Sequence, residues 1–131
     1  MEKVYDPLKV TVTADGRAIT GFSDGAMVVV TLNDDIATLH KGAQGDITYS
    51  ENACRDATAT VTLNNSSDSI SFLNELARTR KRFAFSVTDA NDDTSASATA
   101  TNCRILKPAD LNRSKESENV EITITIPRWN F

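Results

Sequence analysis

Histidine is almost missing from this chain: His40 is the only one in 131 residues. A single imidazole with no cysteine or glutamate at ligand spacing supplies neither a metal cage nor an acid–base relay, and reads as structural. Cysteine is nearly as scarce. Cys54 and Cys103 stand far apart without a C-x-x-C pair, so they read as small core or surface residues rather than a disulfide frame. No serine sits in a G-x-S-x-G elbow. The expectation is a chain that is not an enzyme, with no catalytic residue, no metal site and no cofactor.

Cations are in deficit as well. Lys and Arg number 14 against 18 acids, a net charge of −4, the opposite of what a chain gripping phosphates carries. Long apolar runs are absent. The longest, AMVVV at 26–30, is a strand's worth, so no membrane anchor is expected. MEKVYDPLK lacks the basic-then-apolar layout of a secretory signal, which leads to the expectation of synthesis and folding in the cytoplasm. Glycine (5) and proline (3) are few, while 40% of residues are hydrophobic and 24% charged, a balance that excludes disorder and low complexity. At this length a single domain over residues 1–131 is expected.

What is present is period-two alternation. LKVTVTA (8–14) sets Val10 and Val12 against Thr11 and Thr13, and Asp15-Gly16 then supplies a hairpin turn toward RAITGF. AMVVVTL is continuously apolar and reads as a strand buried on both faces. IATLHK and DITYSEN flank GAQG, a turn or an extended excursion. ATATVTL (57–63) sets Ala59, Val61 and Leu63 against Thr58, Thr60 and Thr62. FAFSVTD, SASATATNCRIL and VEITITI complete the strands, the last with Ile122, Ile124 and Ile126 opposite Glu121, Thr123 and Thr125. KPADLNRSKESEN is a polar loop. In between, NNSSDS offers Ser67 or Asp68 as an N-cap, and Ile70, Leu73, Leu76 and Ala77 recur at helical spacing with Phe72 at the stripe's edge. The fold class is mainly β, an antiparallel barrel or sandwich with one flanking α-helix.

Two apparent motifs fail. DANDD places Asp89, Asn91 and Asp93 at calcium-loop positions, but Thr94 stands where the loop needs Gly and Ala100 where it needs Glu, so a solvated hairpin turn is the better account. KGAQGD lacks the G-K-[ST] ending of a phosphate loop. The helix, by contrast, ends on Arg78, Arg80, Lys81 and Arg82. Dipole compensation and solvation account for one or two of these cations. Four in five positions points to an interface, a positive patch meeting an acidic one on another copy.

YDPLKVTVTADGRAITGFSDG, then KGAQGDITYSENACRDATATVTL, then SDSISFLNEL before FAFSVTDAND, resembles in order and in short stretches the tail tube proteins of contractile-tailed bacteriophages. The resemblance spans nearly the whole chain, weakest at the polar loop and PRWNF. It implies a fold shared with the tube proteins of type VI secretion systems and contractile bacteriocins. It further implies hexameric rings stacked into a hollow tube inside a sheath, a virion location, and passage of DNA. The implied partners are further copies of itself and sheath, baseplate and tail terminator proteins. Barrel geometry agrees in one respect: about 8 strands leave room only for side chains, and an aqueous channel needs about 16, so one copy must share strands with others. Thr58, Thr60, Thr62, Thr123 and Thr125 then become candidate lumen lining, where β-propensity alone would have sufficed before. Lys41, Gln44, Asp46 and Tyr49 in the 41–52 excursion join the four helix-end cations as candidate contacts between subunits, rings or sheath. Ile70, Phe72, Leu73 and Leu76 are the helix's core-facing set. A bacteriocin or secretion tube is the near alternative, and a monomeric β-sandwich ligand-binding module the distant one. The latter wants exposed aromatics, and the chain has only 1 Trp, 2 Tyr and 5 Phe.

Overall fold

The structure, a computed structural model, describes residues 5–25, 27–91, 97–111 and 119–129. Alternation of large apolar with small polar residues draws these into nine strands and one α-helix. The strands are β1 (Val10–Ala14), β2 (Arg17–Ala18), β3 (Val28–Leu32), β4 (Ala37–Lys41), β5 (Ile47–Glu51), β6 (Ala57–Leu63), β7 (Phe83–Asp89), β8 (Ser97–Cys103) and β9 (Val120–Ile126). The helix α1 (Ser69–Thr79) joins β6 to β7, and a 3-10 turn at Pro7–Lys9 precedes β1. One sheet has the order β2-β1-β7-β8, a second β3-β6-β9, and β4-β5 form a separate hairpin. Every pairing is antiparallel. Residues 92–96 and 112–118, on which parts of the expected DANDD turn and of the expected KPADLNRSKESEN loop fall, lie outside the described residues.

The core forms where large side chains face small ones. Ala57, Ala59 and Val61 of β6 stand opposite Ile126, Ile124 and Ile122 of β9, all of them buried. Phe85 of β7 is flanked by Ala14 of β1 and Ala100 of β8, so its ring fills space the two alanines leave. Such interdigitation reaches native density without strained rotamers. Leu73 and Leu76 of α1 are buried in the same cluster, and burying each contributes about 2 kcal/mol. Ile70 and Phe72 are half-buried against it.

The two sheets meet at two corners. Between Phe83 and Phe85 the β7–β8 register slips by a residue, and Asn102 takes a left-handed φ of 58°. This bulge reverses which residues of the strand face inward: Ala98 and Ala100 are buried before it, Cys103 and Ile105 after it. The bent strand then delivers Arg104 to a bridge with Thr125 of β9. At the other corner β2 runs for only two residues, shorter than RAITGF promised. Gly21, at φ +80°, turns the chain away, and Phe22 bridges Leu63 of β6 instead. The close approach demands glycine, because a Cβ there would lie 2.6 Å from the Ser67 Cβ. Ser67 and Ser69 tie the helix start to this corner: Ser67 Oγ donates to the Thr20 carbonyl (2.6 Å) and the Thr20 N–H donates to Ser69 Oγ (3.0 Å). Asp68 is the N-cap residue but makes no side-chain cap bond, while the Ser69 N–H donates to Ser67 Oγ.

β3 departs from the sequence reading. Its neighbour is β6 on one side only, and Val29 is 56% exposed, so VVVTL is an edge strand and not one buried on both faces. Its outward face, Val29 and Thr31, has no cover within the described residues of its own chain.

Candidate self-assembly surfaces

The antiparallel register sets the threonines in rows. Thr58 lies opposite Thr125 on one side and Thr31 on the other, and Thr60 lies opposite Thr123. Residues facing each other across a ladder project to the same side, so Thr58, Thr60, Thr62, Thr123 and Thr125 share the outer face of the second sheet. Charge enters that face only at its margins: Glu121 opposite Thr62, and Arg104 opposite Thr125. Thr58 Oγ1 donates to Asn33 Oδ1 (2.8 Å), and Asn33 Nδ2 donates to Asp56 Oδ2 (2.7 Å), so the Asn33 amide links the threonine row to the Asp56 carboxylate. The first sheet carries a second face of the same chemistry. Thr11 pairs with Thr88, and Thr13 with Ser86, whose hydroxyls are hydrogen-bonded, while Thr99 continues the Ser86 row. The signal for this second row was the alternation of LKVTVTA and FAFSVTD, whose polar half was noted above at Thr11 and Thr13 without being assigned a role.

The β4–β5 hairpin is built where Gly42 and Gly45 allow the reversal, with the Gly42 N–H donating to the Asp46 carbonyl at 2.7 Å. It is inserted in the connection between β3 and β6, whose ladder stays continuous, and so extends from the end of that ladder as an arm. Its register sorts side chains by kind. Ala37, Leu39, Lys41, Ile47, Tyr49 and Glu51 share one face, and Thr38, His40, Thr48 and Ser50 the other. Ile47 is 61% and Tyr49 66% exposed, although water disfavours such surface. Gln44 and Asp46 sit in the tip, both exposed. At the arm's root the Trp129 N–H donates to the Arg55 carbonyl (2.9 Å), and the indole lines a hollow with Leu32, Asp34, Asp35 and Ile36. Trp129 thus holds the base of the arm, a role the sequence did not announce.

The helix-end cations divide. Arg78 pairs with Glu75 on the preceding turn. Lys81 reaches Asp15 of the β1–β2 turn at 2.6 Å, clamping the helix end to the first sheet. Arg80 adopts φ 57° and closes the helix, its N–H donating to the Ala77 carbonyl while the Lys81 N–H donates to that of Leu76. Arg80 and Arg82 are exposed and make no ion pair among the described residues. Arg17 stands nearby with its guanidinium 4.8 Å from the Phe72 ring centroid.

At the far end of the same sheet lies a cleft of about 620 Å³ between the start of β1, the end of β7 and the free edge of β3. Tyr5, Val10, Met27 and Val29 are among its walls, and Asp24 and Asp89 border it. Asn91 organises this end. It accepts from the Asp6 N–H (2.7 Å), and its amide nitrogen donates to the Asp6 carbonyl (2.9 Å) and to Asp89 Oδ1 (2.7 Å). Hydrogen bonds from the Asn91 backbone and side chain hold the Asp89 carboxyl below its ordinary pKa, against a smaller upward push from burial.

The chemically reactive side chains are dispersed. His40 is exposed on the arm, Cys54 exposed in the loop after it, and Cys103 buried in the core. Burial raises the Cys103 thiol to about 11, only partly offset by a backbone hydrogen bond from Phe85. Among the described residues no group of His, Cys, Asp and Glu is arranged to hold a metal ion, and no helix is long and apolar enough to cross a membrane.

Neither a protein-family model nor a curated protein sequence matches this chain. Solved structures do. The cap that terminates the tube of the anti-feeding prophage superposes over 99% of this chain and 91% of its own length, with a TM-score of 0.61 and 9% identity. A chain of the PVC sheath–tube complex, an extracellular contractile injection system in its extended state, covers 97% of this chain and 90% of itself at a TM-score of 0.58, also at 9% identity. At that identity the likeness is one of fold.

Proposed function

We propose that this chain is a structural, non-catalytic subunit that polymerises into a hollow tube of the contractile-tail type, with rings of six copies enclosing a lumen. The observation that carries the reading is the β4–β5 arm, whose apolar face, with Leu39, Ile47 and Tyr49, has no cover among the described residues of its own chain. An exposed face of this kind beside the free edge of β3 marks surface destined for a neighbour. The likeness in fold to the anti-feeding prophage cap and to the PVC sheath–tube complex supports the same role. In such a tube the Thr58–Thr125 face is the lumen wall, neutral enough for a polyanion to pass without being held. Sheath, baseplate and terminator proteins are the corresponding partners in a phage tail, and the virion its location.

A second reading keeps the tube and changes its cargo. The two structural neighbours named above are a tube-terminating cap and part of an extracellular contractile injection system, and their likeness in fold supports an injection tube, without a genome, as this second reading. Purified particles decide between the two: nucleic acid recovered with the particle supports a phage tail, its absence an injection tube. The tube itself is tested by concentrating the expressed chain and examining it by light scattering and negative-stain microscopy. Rings or tubes are expected, and a strict monomer at every concentration would overturn the proposal.

A further inference from the structure

The unpaired cations and the carboxylate-bordered cleft occupy opposite ends of one sheet. β7 begins at Phe83, one residue after Arg82, and ends at Asp89, which borders the cleft. Seven residues of strand span about 20 Å, beyond the reach of any side chain. Arg80 and Arg82 therefore cannot meet Asp24 and Asp89 within one copy. Among the described residues no lysine or arginine lines the cleft, so within it Asp89 has only the hydrogen bonds from Asn91 and neither carboxylate faces a cation. The cleft's walls, Tyr5, Val10, Met27 and Val29, offer apolar surface, which suits the aliphatic stem of an arginine whose head lies at the carboxylates.

We infer that the cationic end of α1 on one copy seats in the Asp24–Asp89 cleft of the next copy, a head-to-tail contact between two unlike surfaces. This rests on the reading of the chain as a self-assembling subunit. A heterologous contact between ends of one sheet leaves a free cleft at one end of every pair and a free cationic end at the other. The contact therefore propagates, closing into a ring or running on as a filament. Lys81 and Arg78 act at one remove: paired with Asp15 and Glu75, they fix the helix end and leave Arg80 and Arg82 to the partner.

The test has two arms. In the first, Arg80→Glu with Arg82→Glu is expected to raise the concentration needed for assembly about tenfold or more, and adding Asp24→Arg to the same chain to restore much of it. Unchanged assembly in the charge-reversed chain, or no rescue by Asp24→Arg, would overturn the contact. In the second, a Thr79→Cys copy and a Val29→Cys copy, each also carrying Cys54→Ser, are mixed and treated with a short bismaleimide. From an equal mixture, linked heterodimer well beyond the twofold excess over each self-link that random linking gives is expected, and a random distribution would refute the assignment. Wild-type tubes without this link sink the contact and leave the tube reading standing. A link without tubes does the reverse.

Discussion

At the scale of single residues, two glycines separate backbone conformation from packing. Gly21 and Gly45 both hold positive φ, +80° and +88°, but a Cβ at Gly21 would strike Ser67 at 2.6 Å whereas one at Gly45 meets open space. Gly45→Ala is expected to cost about 1 kcal/mol, the conformational term alone. Gly21→Ala adds an overlap next to the helix start and is expected to cost about 2–4 kcal/mol, readable as a lower urea midpoint. Cys103 gives a pH signature. Its folded-state pKa lies near 11, above the ordinary thiol value of 9.0, so the neutral thiol is the form that folding favours. Its contribution is fully present below about 9 and is lost as pH climbs toward 11. Denaturation midpoints of the wild type and Cys103→Ala should draw together across that window, and curves that stay parallel would contradict it.

At the scale of elements, the arm makes the clearest prediction. Leu39→Ser with Tyr49→Ser alters side chains that are 43% and 66% exposed, so the thermal midpoint should move by less than about 2 °C. Assembly measured by light scattering should disappear, and tubes of ordinary length would count against the arm as an interface. The arm was legible in the sequence as two short strands around GAQG, because alternation and glycine spacing are local signals. β3 was not, since an apolar run does not say whether its second face meets the core or another molecule. The β8 bulge was hidden for a different reason. Nothing in TATNCRIL marks Asn102 as the residue that reverses the inward parity, although asparagine tolerates the left-handed region more readily than most. The helix and its caps were legible in outline, with Ser67 and Asp68 both at the start, but the Lys81–Asp15 clamp joins residues distant in sequence and needed the fold.

At the scale of the whole molecule, the pairing of Thr58 with Thr125 and Thr60 with Thr123 followed from alternation once β6 and β9 were neighbours, and alternation does not choose neighbours. It also left two threonine faces on two sheets, only one of which carries the free β3 edge and the arm. If the second sheet is the lumen wall, Thr60→Lys with Thr123→Lys should leave tubes intact and make them retain DNA in a salt-dependent way. Retention assayed by filtration at about 50 mM and about 500 mM salt decides this, and no gain over the wild type would assign the lumen elsewhere.

Trp129 is the chain's sole tryptophan, and it lies against Ile36 and Leu32 where the arm leaves the sheet. Any swing of that arm as it joins a neighbour changes the dielectric and the quenchers around one indole. The unmodified protein therefore carries an optical gauge at its own elbow: stopped-flow emission should shift during polymerisation, with a rate that rises with protein concentration if docking moves the arm.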